Sequence, residues 1–127
     1  MPEIHVNLIV LRVADLDRSA TFYEAMGMEF DRHSHGNGPE HLASVLGDIV
    51  FELYPATDKQ PVSVSTRTGL CVDDLDATLA LVTAVPGVKL VTPIQDSEWG
   101  RRAVVADPDG HRVELTQTRL ARDSGGT

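Results

Sequence analysis

Cysteine is nearly absent from this chain of 127 residues, and Cys71 is the only one. A lone cysteine excludes an intrachain disulfide and any cysteine-rich zinc site. The acidic run Cys71-Val72-Asp73-Asp74 also disfavours a thiolate nucleophile, since nearby carboxylates repel a further negative charge, so Cys71 is expected to be a small packed residue. Bases are scarce: 11 Lys and Arg stand against 19 Asp and Glu, giving a formal charge of −8. That balance disfavours nucleic acid and anionic membrane surfaces as partners, because a polyanion needs clustered cations. Long apolar runs are missing too, and none approaches the roughly 20 residues of a membrane span. The N-terminal MPEIHVNLIV has neither the basic flank nor the cleavage site of a signal peptide, so a cytoplasmic location is expected. Aromatics are few, and the single tryptophan, Trp99, reads either as cover for a core edge or as a flat wall against a planar ligand.

What the chain does have is a repeat, the first thing to look for because a missed one misassigns the whole fold. VADLDR at 13–18 matches VDDLDA at 72–77, and VFELYP at 50–55 matches RVELTQ at 112–117. The second match sets Glu52 against Glu114.

Each half reads alike. Ile4 to Val13 is an apolar run without a breaker, predicted as a buried strand. Asp15 then offers a helix cap before Leu16, Ala20, Phe22, Tyr23 and Met26, and Gly27 closes the helix. Met28 to His33 is predicted as a second strand, residues 35–39 as a loop, and His41–Leu46 with Ile49–Tyr54 as a hairpin about Gly47-Asp48. In the second half, Thr66–Val72 is a strand and Asp74 caps a helix whose Leu75, Leu79 and Val82 share a face. Val88–Val91 is a strand, and Arg101–Ala106 pairs with His111–Thr118 across Asp107-Pro108-Asp109-Gly110. That turn is no EF-hand loop, because its glycine and glutamate fall at the wrong positions; Asp107 and Asp109 are read as turn formers.

The pattern is β-α-β-β-β twice: residues 1–55, a linker at 56–65, residues 66–118, and a flexible tail at 119–127. Either half alone would bury too little surface to be more than marginal. The expected solution pairs two sheets, with the helices outside and a cleft between.

The stretches VADLDRSATFYEAMGMEF (13–30), VDDLDATLAL (72–81) and WGRRAVVADPDGHRVELTQ (99–117), with FELYP at 51–55, resemble the vicinal oxygen chelate superfamily. This is the group of glyoxalase, bleomycin resistance and extradiol dioxygenase proteins, and the likeness covers nearly the whole chain to residue 118. The resemblance implies an α+β fold of two paired βαβββ modules around a U-shaped cleft, often as a homodimer. In metal-using members it implies a divalent ion held by His, Gln or Glu from the first and fourth strands of each module. Carried over, the fourth-strand positions are Glu52 and Glu114, while the first-strand positions, seven before Asp15 and Asp74, are Leu8 and Arg67. Leucine has no donor atom and arginine stays cationic, so the standard four-ligand metal site is expected to be missing.

Alternation places Val6, Leu8, Val10 and Arg12, and likewise Val50, Glu52 and Tyr54, on the cleft side, with Ile9, Leu11, Val13, Phe51 and Leu53 under the helix. The cleft set is therefore Leu8, Arg12, His41, Glu52, Arg67, Trp99 and Glu114. Its two glutamates have three readings: ligands of a divalent metal with His41 as the third, a general base centred on Glu114, or carboxylates neutralised by Arg67. His33 and His35 read as a solvated loop pair, and His5 and His111 as surface residues. The favoured function is a small-molecule-binding protein of glyoxalase and bleomycin-resistance type, whose acidic surface would draw a cationic or aromatic ligand. The alternative is a divalent-metal-dependent lyase, isomerase or dioxygenase acting on vicinal oxygens, so a divalent metal is the one cofactor considered, without being favoured.

Overall fold

The computed structural model describes residues 3–34 and 36–118, so the expected tail at 119–127 and His35 lie outside the described residues. The elements are β1 (Leu8–Val13), α1 (Leu16–Ala25), β2 (Asp31–His33), β3 (His41–Leu46), β4 (Ile49–Pro55), β5 (Arg67–Cys71), α2 (Leu75–Thr83), β6 (Lys89–Ser97), β7 (Gly100–Ala106) and β8 (Arg112–Gln117). They form two compact units, one running to Ser63 and one beginning at Val64. Each is a four-stranded mixed sheet with one helix, ordered β1-β4-β3-β2 and β5-β8-β7-β6. The chain thus has the α+β architecture of βαβββ modules that the repeat implied.

Matching sequences do matching work. Asp15 Oδ1 accepts a hydrogen bond from Arg18 N at 3.0 Å, and Asp74 Oδ1 accepts one from Ala77 N at 3.1 Å. Each aspartate thereby satisfies an amide that the first helical turn leaves without a partner. Gly27 ends α1 at φ +112°, a backbone angle that side chains resist.

In unit one, α1 buries Phe22 and Tyr23 over the sheet face carrying Leu11, Val13, Phe51 and Leu53, with the Tyr23 and Phe51 rings 5.0 Å apart. In unit two, Leu75 and Val82 of α2 and Val105, Val113 and Leu115 of the sheet are buried. Each such side chain stabilises the fold by about 1.5–3 kcal/mol relative to exposure. Alternation along the strands sends the remaining side chains to the face turned away from the helix.

The parallel β1–β4 pair sets Glu52 opposite Val10, and the antiparallel β3–β4 pair sets it opposite Ala43. Glu114 lies opposite Gly69 on β5 and Val104 on β7. The two glutamates therefore hold the same place in the two sheets.

Several expectations need correcting. β1 starts at Leu8 rather than Ile4, whose side chain is 98% exposed, because the partner strand β4 gives the earlier residues no pairing beyond one bond from Val50 N to Asn7 O. β2 is only three residues long. β6 runs on through Pro93 to Ser97, with register shifts on either side of Thr92; an edge strand tolerates the amide that proline lacks. Cys71 is exposed rather than packed, since it ends the edge strand β5 on the face away from α2. His111 is fully buried rather than at the surface. Its Nδ1 lies 2.8 Å from Asp107 Oδ2, while Asp107 Oδ1 accepts from the amides of Asp109 (3.0 Å) and His111 (2.9 Å). Asp107, itself buried, thus shapes the whole β7–β8 turn. Among the described residues no helix is long and apolar enough to cross a membrane.

Candidate functional site

The helix-free face of unit one carries a row of planar side chains, one from each strand. Arg12 Cζ stands 4.9 Å over the Tyr54 ring, a cation–π contact, and its Nη1 donates to the Pro55 carbonyl at 3.2 Å. One step beyond the Leu42–Leu53 pair, His41 stacks on Tyr54 with ring centres 4.3 Å apart and planes only 6° off parallel. His33, opposite His41, continues the row at 5.7 Å. His41 is only 4% exposed; its Nδ1 donates to the Pro39 carbonyl at 3.4 Å, which leaves Nε2 facing Glu52 Oε2 at 3.8 Å. Leu8 and Val10, on β1, and Val45, on β3, are exposed on this face.

Unit two uses the same register for different chemistry. Glu114 Oε1 accepts from Arg67 Nη2 at 2.7 Å and from Arg102 Nη1 at 3.0 Å. One carboxylate oxygen therefore bridges two guanidinium groups, each bond strengthened by full charges on both partners. Gly69, opposite Glu114, has no atom within 4 Å of where a Cβ would stand, so the space beside the carboxylate is open.

Of the expected residues, unit one brings together Arg12, His41 and Glu52 through Tyr54, and unit two brings together Arg67 and Glu114. Leu8 sits one pair further along β1 and β4, opposite Val50. Trp99 lies in the β6–β7 turn, 73% exposed, and covers no core edge. Its amide donates to Ser97 Oγ at 3.2 Å, which shapes the turn. A shallow pocket of about 280 Å³ in unit one is lined by other residues, among them Met28, Asp31 and Ser44.

Sequence reasoning passed over Arg102 and gave Tyr54 no role. A signal for Arg102 was present in the repeat. Arg102 pairs with Thr116, two residues beyond Glu114, just as His41 meets Tyr54, two beyond Glu52. Arg102 and His41 are counterparts, and each approaches the glutamate of its own unit.

The donors do not fit a four-ligand divalent site. Leu8 offers no lone pair, Arg67 is a cation, and the carboxylate of Glu114 is already bound to two guanidinium groups. Among the described residues, no three His, Cys, Asp or Glu side chains gather in a way that could hold a metal ion.

Comparison with known proteins gives consistent results. The model of the Glyoxalase/Bleomycin resistance protein/Dioxygenase superfamily matches residues 5–115. A protein of Vibrio parahaemolyticus named as a probable lactoylglutathione lyase is 32% identical over 124 residues, covering 88% of this chain and 89% of its own. TnmS3, an antibiotic binding protein from Streptomyces sp. CB03234, superposes with a TM-score of 0.73 at 29% identity, covering 93% of this chain and 98% of its own. The bleomycin-binding protein of Streptomyces verticillus, solved with copper(II)-bleomycin, superposes with a TM-score of 0.63 at 25% identity, covering 94% of this chain and 100% of its own.

Proposed function

The chain belongs to the Glyoxalase/Bleomycin resistance protein/Dioxygenase superfamily, and from that premise we propose that it is a small-molecule-binding member that works without the four-ligand metal site. The observation that carries this reading is the state of Glu114: the carboxylate at the fourth-strand ligand position is bridged by Arg67 and Arg102. A metal taken by this carboxylate would sit beside the two cations that already hold its Oε1. Glu114 is read as a partner of two arginines rather than as a general base, since both guanidinium groups hold its Oε1.

The residues of unit one are suited to binding. Leu8, Val10 and Val45 offer exposed apolar surface, and the Arg12–Tyr54–His41 stack offers ordered planar groups beside the Glu52 carboxylate. Apolar surface with a few fixed polar groups is how small-molecule sites gain both affinity and orientation. That relatives as similar as TnmS3 and the Streptomyces verticillus protein are named for binding antibiotics and bleomycin supports the same reading.

The relative named as a probable lactoylglutathione lyase supports a second reading, a metal-dependent lyase or isomerase in which His41 and Glu52 would be donors. Metal analysis separates the two. Protein dialysed against chelator and then exposed to Ni, Zn, Mn or Fe is expected to recover far less than one ion per chain. Recovery of one tightly held ion per chain, lost in Glu52→Gln or His41→Ala, would overturn the metal-free reading.

A further inference from the structure

We propose that the helix-free face of unit two binds small molecules through an anionic group: a carboxylate, a sulfonate or a phosphate. The assignment rests on the binding reading above and names the chemical class of its ligand.

Arg67, Arg112 and Lys89 fall in one row across the sheet, through the pairs Arg67–Arg112, Arg112–Ala106 and Ala106–Lys89. Arg102 lies on the same face further along β7, and alternation along β8 puts Arg112 on the face of Glu114. Four of the chain's 11 basic residues thus share one face of one sheet, in a protein whose formal charge is −8. An excess of base cannot explain the cluster.

Glu114 neutralises only one of those four charges. Arg67 and Arg112 stand directly opposite each other, a like-charge pairing that destabilises a sheet. The same registers in unit one carry Leu8 and Val50, so nothing in the module's architecture demands cations there. An added anion would relieve the repulsion.

Glu114 itself shows how such a group can be received, because its Oε1 draws one N–H from each of two arginines. A guanidinium carries five such donors in a fork suited to carboxylate and phosphate oxygens. The missing side chain at Gly69 leaves space beside that carboxylate. The acidic balance of the whole chain suggested a cationic or aromatic ligand; the local face argues for an anionic group.

Four probes that share a phenyl ring test this: benzoate, phenyl phosphate, benzyl alcohol and benzylamine, titrated into the full chain in phosphate-free buffer and followed by amide and arginine side-chain NMR. Benzoate and phenyl phosphate are expected to give saturable shifts in β5, β7 and β8. Arg102→Ala should weaken them about tenfold or more, the loss of a charge-assisted bond. Gly69→Val should also weaken them by filling the space without changing any charge. Glu114→Gln should tighten them by removing the internal competitor. Arg101→Ala, one residue away but paired with Asp76 of α2, should leave affinity within about twofold.

Equal weakening by Arg101→Ala and Arg102→Ala would reduce the effect to overall charge and overturn the assignment. So would the absence of any response to either acid at tens of millimolar. If benzyl alcohol or benzylamine binds saturably while the acids do not, the binding function stands and the anionic assignment alone falls.

Discussion

Glu52 and Glu114 occupy one register in two sheets and end in different company, a histidine in one case and two arginines in the other. The difference arises from single residues on neighbouring strands, and part of it was legible beforehand. Alternation put both glutamates on the helix-free face, and counting back from the helix caps put Arg67 beside Glu114. Arg102 was missed because the ligand positions implied by the resemblance lie on first and fourth strands, although its alternation with Ala103 and Val105 already turned it toward Glu114. His111 was misjudged because a histidine next to a turn normally faces water, and nothing local shows that a buried carboxylate will hold its ring. The Asp107–His111 pair gives the sharpest stability prediction at this scale. Asp107→Ala leaves two amides and a ring nitrogen without their buried acceptor, and should cost about 3–5 kcal/mol. Chemical denaturation would register this as a large fall in midpoint, and a loss under about 1 kcal/mol would contradict the role given to the carboxylate.

At the scale of elements, the strands and helices that sequence read correctly are those with both a period and a stop signal. Both helices began where Asp15 and Asp74 said they should, and the β3–β4 and β7–β8 hairpins turned where Gly47 and the Asp107–Gly110 run said they should. β6 exceeded its prediction and runs through Pro93, because the strand is an edge with bulges and does not need the amide that proline lacks. Helix α2 is also tied to β7 by charge, through Arg101 Nη1 and Asp76 Oδ2 at 3.0 Å. Hydrogen bonding to Arg101, reinforced by its charge, holds the Asp76 carboxyl below its usual range. A carboxyl lowered on folding stabilises the fold above that range and loses this contribution as pH falls through its lowered value. The stability difference between the natural chain and Asp76→Asn should therefore be present at neutral pH and be lost as pH falls through the lowered Asp76 value. A difference that stayed constant across that range would show that the ion pair is not its source.

For the whole molecule, the repeat was the most informative feature, because it fixed the module, its count and the matching of positions before any single residue was interpreted. Composition was least informative about the ligand. A charge of −8 describes the chain as a whole, whereas the face around Glu114 has its own sign. The family is shared by proteins named as a lyase and as antibiotic binders, so the choice between them depends on side chains rather than on architecture. Binding without the four-ligand metal site can be checked by thermal unfolding of the full chain in excess chelator against a panel of small molecules of varied charge and ring content. A ligand that binds the native state must raise the unfolding temperature in proportion to its saturation. At least one compound should give a saturable rise that is unchanged by chelator. Stabilisation that appears only when a divalent ion is restored would contradict it.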